Sequence, residues 1–298
     1  MSLVSLVKIR SESNIKKGIA VALDLIQYEW SKNIRNIVIK PNLCYYWDCT
    51  TGQTTDPKFV AALIDLIHER IARTVNISIV ESDASAMKCK YAFKMLGYEK
   101  LAADYKVKLV NLSQDSYETV QVTAGKQSFT LMIPKTIQTA DLKINVPKIK
   151  YTMENIKLTC ALKNIYGCNP YPKKYRYHSR LGEAIVAINK AMKFDLHIID
   201  GYIVSGIQPR KLGLVMASKD PVAIDVAAAE IAGLNPRRIK YLQLAEKEGI
   251  GKISYIPRGS PINYFRSRYP RKDFKKKLMG KAYAALILTG LGEKLGIQ

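Results

Sequence analysis

The side chains best suited to chemistry concentrate in residues 140–168 of this sequence. An apolar run, Leu142–Val146, predicts a strand that ends at Pro147, and the next helical pattern runs from near Glu154 to Asn164. The basic residues between the two elements therefore fall in a strand-to-helix crossing, where α/β proteins hold ligands. Five side chains here offer hydrogen-bond donors with little negative charge: Asn145, Lys148, Lys150, Lys163 and Asn164. This set predicts an anion site.

Further candidates follow other predicted strands. Lys40 and Asn42 come after residues 34–39, Glu81 comes after residues 75–80, and Asp200 comes after residues 196–199. Because the carboxyl ends of parallel strands meet at one edge of a sheet, we expect these residues to converge there. Asp56 stands before Pro57 at a predicted helix start. The carboxylates of Asp56 and Glu81 could arrange a catalytic water or hold a divalent metal; alternatively, Asp56 could simply cap the helix and Glu81 could pair with a lysine.

These motifs, taken together and in order, resemble a known family. The matching blocks are Lys40-Pro41-Asn42, Thr55-Asp56-Pro57, Asn145 to Lys150, Asp200-Gly201 and Asp220 to Asp225. They resemble the DUF362 family of archaea and bacteria, over roughly residues 38–251. The resemblance implies an α/β fold and a ligand role for Lys40, but it implies no reaction, because the chemistry of the family is unassigned.

The resemblance also singles out a histidine. The family typically has one in the loop that here spans residues 169–178, and His178 matches it. His178 is therefore our candidate for acid–base work, with a plain hydrogen-bonding role as the alternative. Where a second family histidine is expected, directly after Lys150, this chain has Tyr151.

The charge of the chain favours polyanionic partners. Its 298 residues contain 47 Lys and Arg against 25 Asp and Glu, a formal net charge of +22. RNA, DNA or anionic lipid would suit this charge, although lysine-rich compositions can also serve only to solvate the surface. With 48% hydrophobic residues the chain can bury a substantial core, so we do not expect disorder.

Two basic segments are candidates for nucleic-acid binding. Residues 169–178, NPYPKKYRYH, interleave aromatic and basic side chains, which suits stacking on bases or a lid over a small anion. From Pro257 onward basic residues predominate, and beyond Lys281 an apolar stretch predicts a helix for an anionic membrane surface or for docking. The predicted nucleic-acid contacts are Lys173, Lys174, Arg176, Arg268, Arg271, Lys275, Lys276 and Lys277.

Cysteine usage predicts a reduced, cytoplasmic location. Five cysteines occur, without the CxxC spacing of zinc or iron–sulfur sites. Some members of the family carry a ferredoxin-like module rich in cysteine; this chain resembles the form without it, and we do not expect an iron–sulfur cluster. We find no apolar run long enough to span a membrane and no signal-peptide pattern. The cofactor, if any, stays unassigned.

The alternation of strand and helix patterns predicts a doubly wound, mostly parallel α/β sheet. Residues 117–122 and 128–132 predict an inserted β-hairpin, and residues 214–217 predict the last strand. We expect an α/β domain over residues 1–256 and a basic tail with an amphipathic helix over residues 257–298.

Three functions fit these observations. The first is a cytosolic protein that binds a phosphate- or carboxylate-bearing small molecule at the carboxyl rim of the sheet, and that could catalyse a reaction on it. The second is an RNA- or ribosome-associated protein that uses the basic segments. The third is a protein that associates peripherally with a membrane.

Overall fold

A computed structural model describes residues 1–31, 33–152 and 156–270. The strands are β1 (Ser2–Lys8), β2 (Asn36–Pro41), β3 (Asn76–Glu81), β4 (Lys108–Asn111), β5 (Tyr117–Ala124), β6 (Gln127–Pro134), β7 (Leu142–Val146), β8 (Lys150–Tyr151), β9 (Leu158–Thr159), β10 (Leu196–Val204), β11 (Arg210–Ser218) and β12 (Tyr255–Gly259). The helices are α1 (Ile15–Leu25), α2 (Pro57–Arg70), α3 (Cys89–Met95), α4 (Tyr98–Tyr105), α5 (Lys135–Gln138), α6 (Ala161–Ile165), α7 (Leu181–Ala191), α8 (Pro221–Ile231), α9 (Lys240–Lys247) and α10 (Ile262–Arg266).

Eight strands form the central sheet, in the order β12-β1-β11-β10-β7-β2-β3-β4. Neighbouring strands pair in parallel except at β11, which is antiparallel to both β1 and β10. The prediction of a mostly parallel α/β sheet is therefore confirmed. The predicted hairpin is also present, because β5 and β6 pair antiparallel outside the main sheet.

Helices cover both faces of the sheet, which explains why its central strands are apolar on both sides. One core contains the buried side chains of α1, α2, α3 and α4. The other contains those of α6, α7, α8 and α9, together with the inner face of the β5–β6 hairpin. The fold is thus doubly wound, as the sequence predicts.

The strand order reverses between β2 and β7. From β2 the chain proceeds outward to β3 and β4, whereas from β7 it proceeds to β10 on the other side. A crevice opens at the carboxyl ends of the strands where such a reversal occurs, and ligands bind there in open α/β sheets. Lys40 of β2 pairs in register with Asn145 of β7, so both predicted ligand residues lie at this point.

Two predictions about elements were wrong. The helical pattern assigned from near Glu154 to Asn164 instead contains β9, and α6 begins only at Ala161; Glu154 itself lies outside the described residues. Residues 214–217 belong to the longer β11 and are not the last strand, because β12 follows them within the described part of the chain. Local apolar patterns do not distinguish these cases, because β12 is short and pairs with β1 from the opposite end of the chain.

The predicted boundary at residue 257 falls inside β12. Residues 257–259 pair with β1, and α10 packs on α8 through the buried side chain of Phe265. Residues 271–298 lie outside the described part of the chain, so the basic tail and its amphipathic helix stay predictions. Among the described residues, no helix combines the length and the apolar character that a membrane span needs.

Candidate functional site

A cavity of about 690 Å³ lies at the carboxyl ends of β2 and β3, beside α6. Eight of the predicted site residues line it: Lys40, Asn42, Glu81, Lys150, Lys163, Asn164, Lys174 and His178. They come from widely separated parts of the chain. The cavity has the size of a pocket for a small organic molecule.

Lys40 and Glu81 form a buried ion pair at the base of this cavity. The Nζ of Lys40 lies 2.8 Å from the Oε2 of Glu81, and the two side chains are 1% and 4% exposed. Glu81 also accepts hydrogen bonds from the backbone amides of Leu43 and Ser82, and Lys40 donates to the carbonyl of Pro41. A buried pair of opposite charges needs such additional partners to offset the loss of water. The charge of Glu81 is thus already balanced within the protein.

Three further lysines face the cavity without an ion pair among the described residues, although Glu81 lies near enough to favour the charged form of Lys174. The amine of Lys150 donates to the backbone carbonyl of Gln53 at 2.8 Å. The amine of Lys174 donates to the hydroxyl of Ser82, and to the carbonyl of Gly167 at 2.9 Å. In the part of the chain that the structure describes, the amine of Lys163 has neither a hydrogen bond nor an ion pair.

Burial lowers the pKa of all three of these lysine amines. Loss of water around the ammonium group lowers the pKa of Lys150 to about 8, although the nearby Cys44 opposes this shift. The same cause lowers the pKa of Lys174 to about 8, and it lowers the pKa of Lys163 as well. Each of these ammonium groups would gain from a bound anion, because the anion would favour the charged form.

Buried amides connect the cavity to the sheet beneath it. The side-chain amide of Asn42 donates to Asn164 at 2.8 Å, and that of Asn164 donates to Asn145 at 2.7 Å. The amide of Asn145 in turn donates to the carbonyl of Ala161 and lies 3.1 Å from the Nδ1 of His197. These bonds tie β2, α6, β7 and β10 together, so Asn145 supports the site from below and does not line it.

The Oδ1 of Asn42 is a buried acceptor for which the described residues supply no donor. Buried polar atoms normally find a partner, so this oxygen stands out as a point where a ligand or a water would be accommodated. It belongs to a residue that lines the cavity.

Three predicted site residues form a separate cluster outside the cavity. The Nζ of Lys148 lies 3.0 Å from the Oδ2 of Asp200, with both side chains 1% exposed. The same carboxylate accepts the backbone amide of Asp56, and Lys148 also donates to the carbonyl of Ile203. The carboxylate of Asp56 caps α2 through the amide of Lys58. The structure thus places Lys148 and Asp200 outside the cavity, where they neutralise each other and fix the β2–α2 loop to β10; a ligand role for them stays a prediction.

The structure also separates the two carboxylates proposed to hold a metal or a water. Asp56 belongs to this second cluster, whereas Glu81 is paired with Lys40 in the cavity. Among the described residues, no three side chains of His, Cys, Asp or Glu gather in a way that could hold a metal ion. The two carboxylates lie in separate places because each has its own donor: the backbone amide of Lys58 for Asp56, and the amine of Lys40 for Glu81.

His178 lies exposed at the edge of the cavity. Tyr151, which replaces the second expected histidine, also lines the cavity, but its hydroxyl donates to the carbonyl of Ala232 at 2.6 Å. Of the two positions where the resemblance leads us to expect a histidine, only residue 178 therefore places an imidazole at the cavity.

The basic residues predicted to bind nucleic acid have different environments. Lys173 is exposed, whereas Lys174 is directed into the cavity, so its assignment to a nucleic-acid surface is corrected. The guanidinium of Arg176 packs over the rings of Tyr171 and Tyr177, and that of Arg268 packs over another tyrosine. The remaining predicted contacts lie outside the described residues: Arg271, Lys275, Lys276 and Lys277.

Sequence reasoning missed two residues that shape the cavity. Ser82 directly follows Glu81 at the end of β3, and its hydroxyl donates to the carbonyl of Gly167. Gly167 approaches the ion pair closely: a Cβ there would lie 3.3 Å from the Nζ of Lys40 and 3.4 Å from the Oε1 of Glu81. The position of Ser82 at a strand end was a usable signal, whereas nothing in the sequence marked Gly167.

Comparisons with known proteins agree with this fold. A family model described as a domain of unknown function, DUF362, matches residues 37–230. The thylakoid-associated protein sll1697 of Synechocystis sp. is 28% identical over 229 residues, which cover 72% of this chain and 68% of that protein.

Two solved structures are also similar. The lactate racemase apoprotein of Thermoanaerobacterium thermosaccharolyticum matches with a TM-score of 0.50 and 11% identity, covering 78% of this chain and 58% of that one. A protein of Thermotoga maritima matches with a TM-score of 0.40 and 12% identity, covering 80% of this chain and 59% of that one. This chain thus spans less than two thirds of either structure. At these identities the racemase indicates the fold only.

Proposed function

The chain belongs to the DUF362 family, and we propose that it binds a phosphate- or carboxylate-bearing small molecule in the cavity beside α6. One observation carries this proposal: four lysines line the cavity, and the only carboxylate that lines it among the described residues is already paired with Lys40. The surplus of positive charge in a concave, partly dehydrated site favours an anion.

The energetics of burial support the same conclusion. An ammonium group removed from water is costly unless it is paired, and the lowered pKa values of Lys150, Lys163 and Lys174 reflect this cost. Keeping three such groups around one cavity destabilises the empty protein. A bound anion would compensate all three at once, and this is a physical reason for the arrangement.

The proposal gives each residue a distinct role. Lys150, Lys163 and Lys174 hold the anionic group, and the Oδ1 of Asn42 accepts a hydrogen bond from a hydroxyl or amine of the ligand or from a bound water. Lys40 and Glu81 form the base of the site, and Asn145 and Asn164 hold that base in place. If the protein is an enzyme, His178 is our candidate at the cavity for moving a proton. We assign no reaction, and a cytoplasmic location and a divalent metal stay predictions.

Direct binding of a simple anion tests the proposal. Isothermal titration of the full-length protein with inorganic phosphate should show saturable binding, and a variant with Lys150→Ala and Lys163→Ala should lose it. A matched control carries Lys90→Ala and Lys94→Ala, two exposed lysines on α3, and so has the same net charge. Equal affinities in the two double variants would contradict the proposal, because bulk charge would then explain the binding.

RNA association is a second candidate, favoured by the formal net charge of +22. Lysine and arginine contacts to phosphates release counterions, so the affinity for RNA should fall steeply as salt is raised. Removing residues 271–298 is the appropriate test of the basic tail, because residues 257–259 belong to β12 and a longer deletion would damage the sheet. Unchanged RNA affinity after this truncation would exclude the tail.

Membrane association is the third candidate, favoured by the name of the Synechocystis relative, which describes that protein as thylakoid-associated. Peripheral attachment needs only a basic surface and anionic lipid. Flotation with vesicles that contain phosphatidylglycerol should carry the protein upward at low salt. Protein that stays at the bottom of the gradient would exclude this candidate.

A further inference from the structure

Two large aromatic side chains stand exposed at the mouth of the cavity. Tyr45 and Trp47 both line it, and they are 46% and 49% exposed. Their ring centroids lie 5.3 Å apart, with the ring planes tilted by 54°. Neither aromatic is used by the lysine-based site described above. They nevertheless lie at the same cavity.

The loop that carries these aromatics is held in place at several points. Tyr46 lies between Tyr45 and Trp47 in the sequence, and its hydroxyl accepts a hydrogen bond from the backbone amide of Lys88 at 2.9 Å. The carboxylate of Asp48 caps the next turn through the amide of Thr50, and Gly52, with a φ of 69°, packs directly against the backbone of Val204. A side chain at residue 52 would collide with that backbone, so the close approach requires glycine. The exposure of the rings is thus built into an anchored loop.

The backbone at Tyr45 adds to this observation. Its φ is 54°, in the left-handed region that tyrosine rarely adopts. Its neighbours on both sides are anchored, because the amide of Cys44 donates to the Oγ1 of Thr54 and the hydroxyl of Tyr46 accepts the amide of Lys88. Backbone strain of this kind concentrates at ligand sites. In this conformation the ring of Tyr45 lies at the mouth of the cavity.

We infer that the ligand is an anion that carries a planar aromatic ring, with its charged group among Lys150, Lys163 and Lys174 and its ring against Tyr45 and Trp47. This inference rests on the proposed function. A phosphate or carboxylate group alone would fill only a small part of a cavity of about 690 Å³. The rest of the molecule has to extend toward the mouth, where aromatic faces offer stacking surfaces that suit a flat ring.

Two phosphate monoesters of equal charge test the inference. Methyl phosphate and phenyl phosphate differ only in the ring, so their difference in affinity isolates the aromatic contact. Isothermal titration of the full chain should show phenyl phosphate binding about tenfold more tightly, which is the scale of one stacking contact. The variant Trp47→Ala should reduce this preference to within about twofold, and Trp47→Phe should retain most of it.

The control variant is Tyr91→Ala. Tyr91 is 55% exposed on α3 and does not line the cavity, so its removal should leave the preference for phenyl phosphate unchanged. A preference that survives Trp47→Ala, or one that is absent from the unmodified protein, would overturn the inference.

The outcomes also separate this inference from the proposed function. If both esters bind equally and the Lys150→Ala, Lys163→Ala variant loses both, the anion site stands and the ring contact is wrong. If neither ester binds, the proposed function and the inference both fail. If phenyl phosphate binds more tightly than methyl phosphate and the lysine variant loses both, both stand.

Discussion

The Nζ of Lys40 lies 2.8 Å from the Oε2 of Glu81 at the base of the cavity, and this pairing decides the charge of the site. Because Glu81 pairs directly with Lys40, it forms no ion pair with the other lysines that line the cavity, and of these it favours the charged form of Lys174 alone. A reader of the sequence would count Glu81 as a possible base or metal ligand. In the structure it is a counterion, and the remaining lysines define the chemistry.

Replacing Glu81 with glutamine should lower the stability of the protein but raise its affinity for phosphate. The change leaves Lys40 as a buried charge without its partner, so the free energy of unfolding should fall by about 3–5 kcal/mol. The affinity of the folded protein for phosphate should rise, because the only described carboxylate of the cavity is gone. Urea denaturation and isothermal titration measure the two effects.

As a control, Glu69→Gln removes an exposed partner of Lys16 and should lower the free energy of unfolding by about 1 kcal/mol or less. An unchanged or weaker phosphate affinity in Glu81→Gln would contradict this prediction.

Lys148 and Lys150 should behave in opposite ways, although they are two residues apart. Lys148→Ala strands the buried carboxylate of Asp200, so the free energy of unfolding should fall by about 3 kcal/mol or more. Its phosphate affinity should stay within about twofold of normal, because Lys148 does not line the cavity. Lys150→Ala should weaken phosphate binding at least tenfold with a smaller loss of stability. Titration of both variants at a temperature where each is folded provides the measurement, and a loss of binding in Lys148→Ala would show that the two clusters are not independent.

Anion binding should weaken as the pH rises through about 8. Burial lowers the pKa of Lys150 and of Lys174 to about 8, so above that pH both amines lose the charge that attracts an anion. Sulfate is the right probe, since it does not change its own charge in this range. Affinity for sulfate should be highest below pH 8 and fall by about tenfold or more toward pH 9.5.

Near pH 8, sulfate binding should be accompanied by proton uptake, which appears as a dependence of the measured binding heat on the buffer. A flat affinity between pH 7 and 9.5 would exclude a contribution from these two amines.

The buried His197 should destabilise the protein in acid. Burial lowers the pKa of His197 from 6.5 to about 3, so between these values the unfolded chain binds a proton that the folded chain does not. Stability should therefore fall as the pH drops from about 6.5 toward 3. His197→Leu should remove this contribution, so its unfolding free energy should depend less steeply on pH in that window.

The comparison between variants is the decisive measurement for His197. Burial raises the pKa of Asp225 to about 7, so its contribution to stability changes with pH in the opposite direction over part of the same window. The pH dependence of the unfolding free energy of the unmodified protein therefore contains the contributions of both groups. The difference in unfolding free energy between the unmodified protein and His197→Leu contains that of the histidine. Parallel curves would show that His197 does not titrate as expected.

The sequence by itself determined the fold class and the edge at which the site forms. Alternating apolar runs and helical patterns predict a doubly wound sheet, because strands covered on both faces must be apolar throughout. Polar residues placed directly after such strands must meet at the carboxyl edge, and Lys40, Glu81 and Asn145 do so. Periodicity and strand ends are local properties, so the order of residues suffices to read them.

Only the tertiary structure decided which of these residues line the cavity and which pair with one another elsewhere. Lys148 and Lys150 look alike in the sequence, but Asp200, 52 positions after Lys148, neutralises the first, while the second faces the cavity. Lys174, read as part of a basic surface, turns inward to contact Gly167. The chemistry of a lysine depends on the charges and the water around it, and those are set by segments distant in the chain. A lysine that pairs with a buried carboxylate, as Lys148 does, stabilises the fold, whereas a lysine that faces the cavity without such a pair, as Lys150 does, is a candidate to bind an anion.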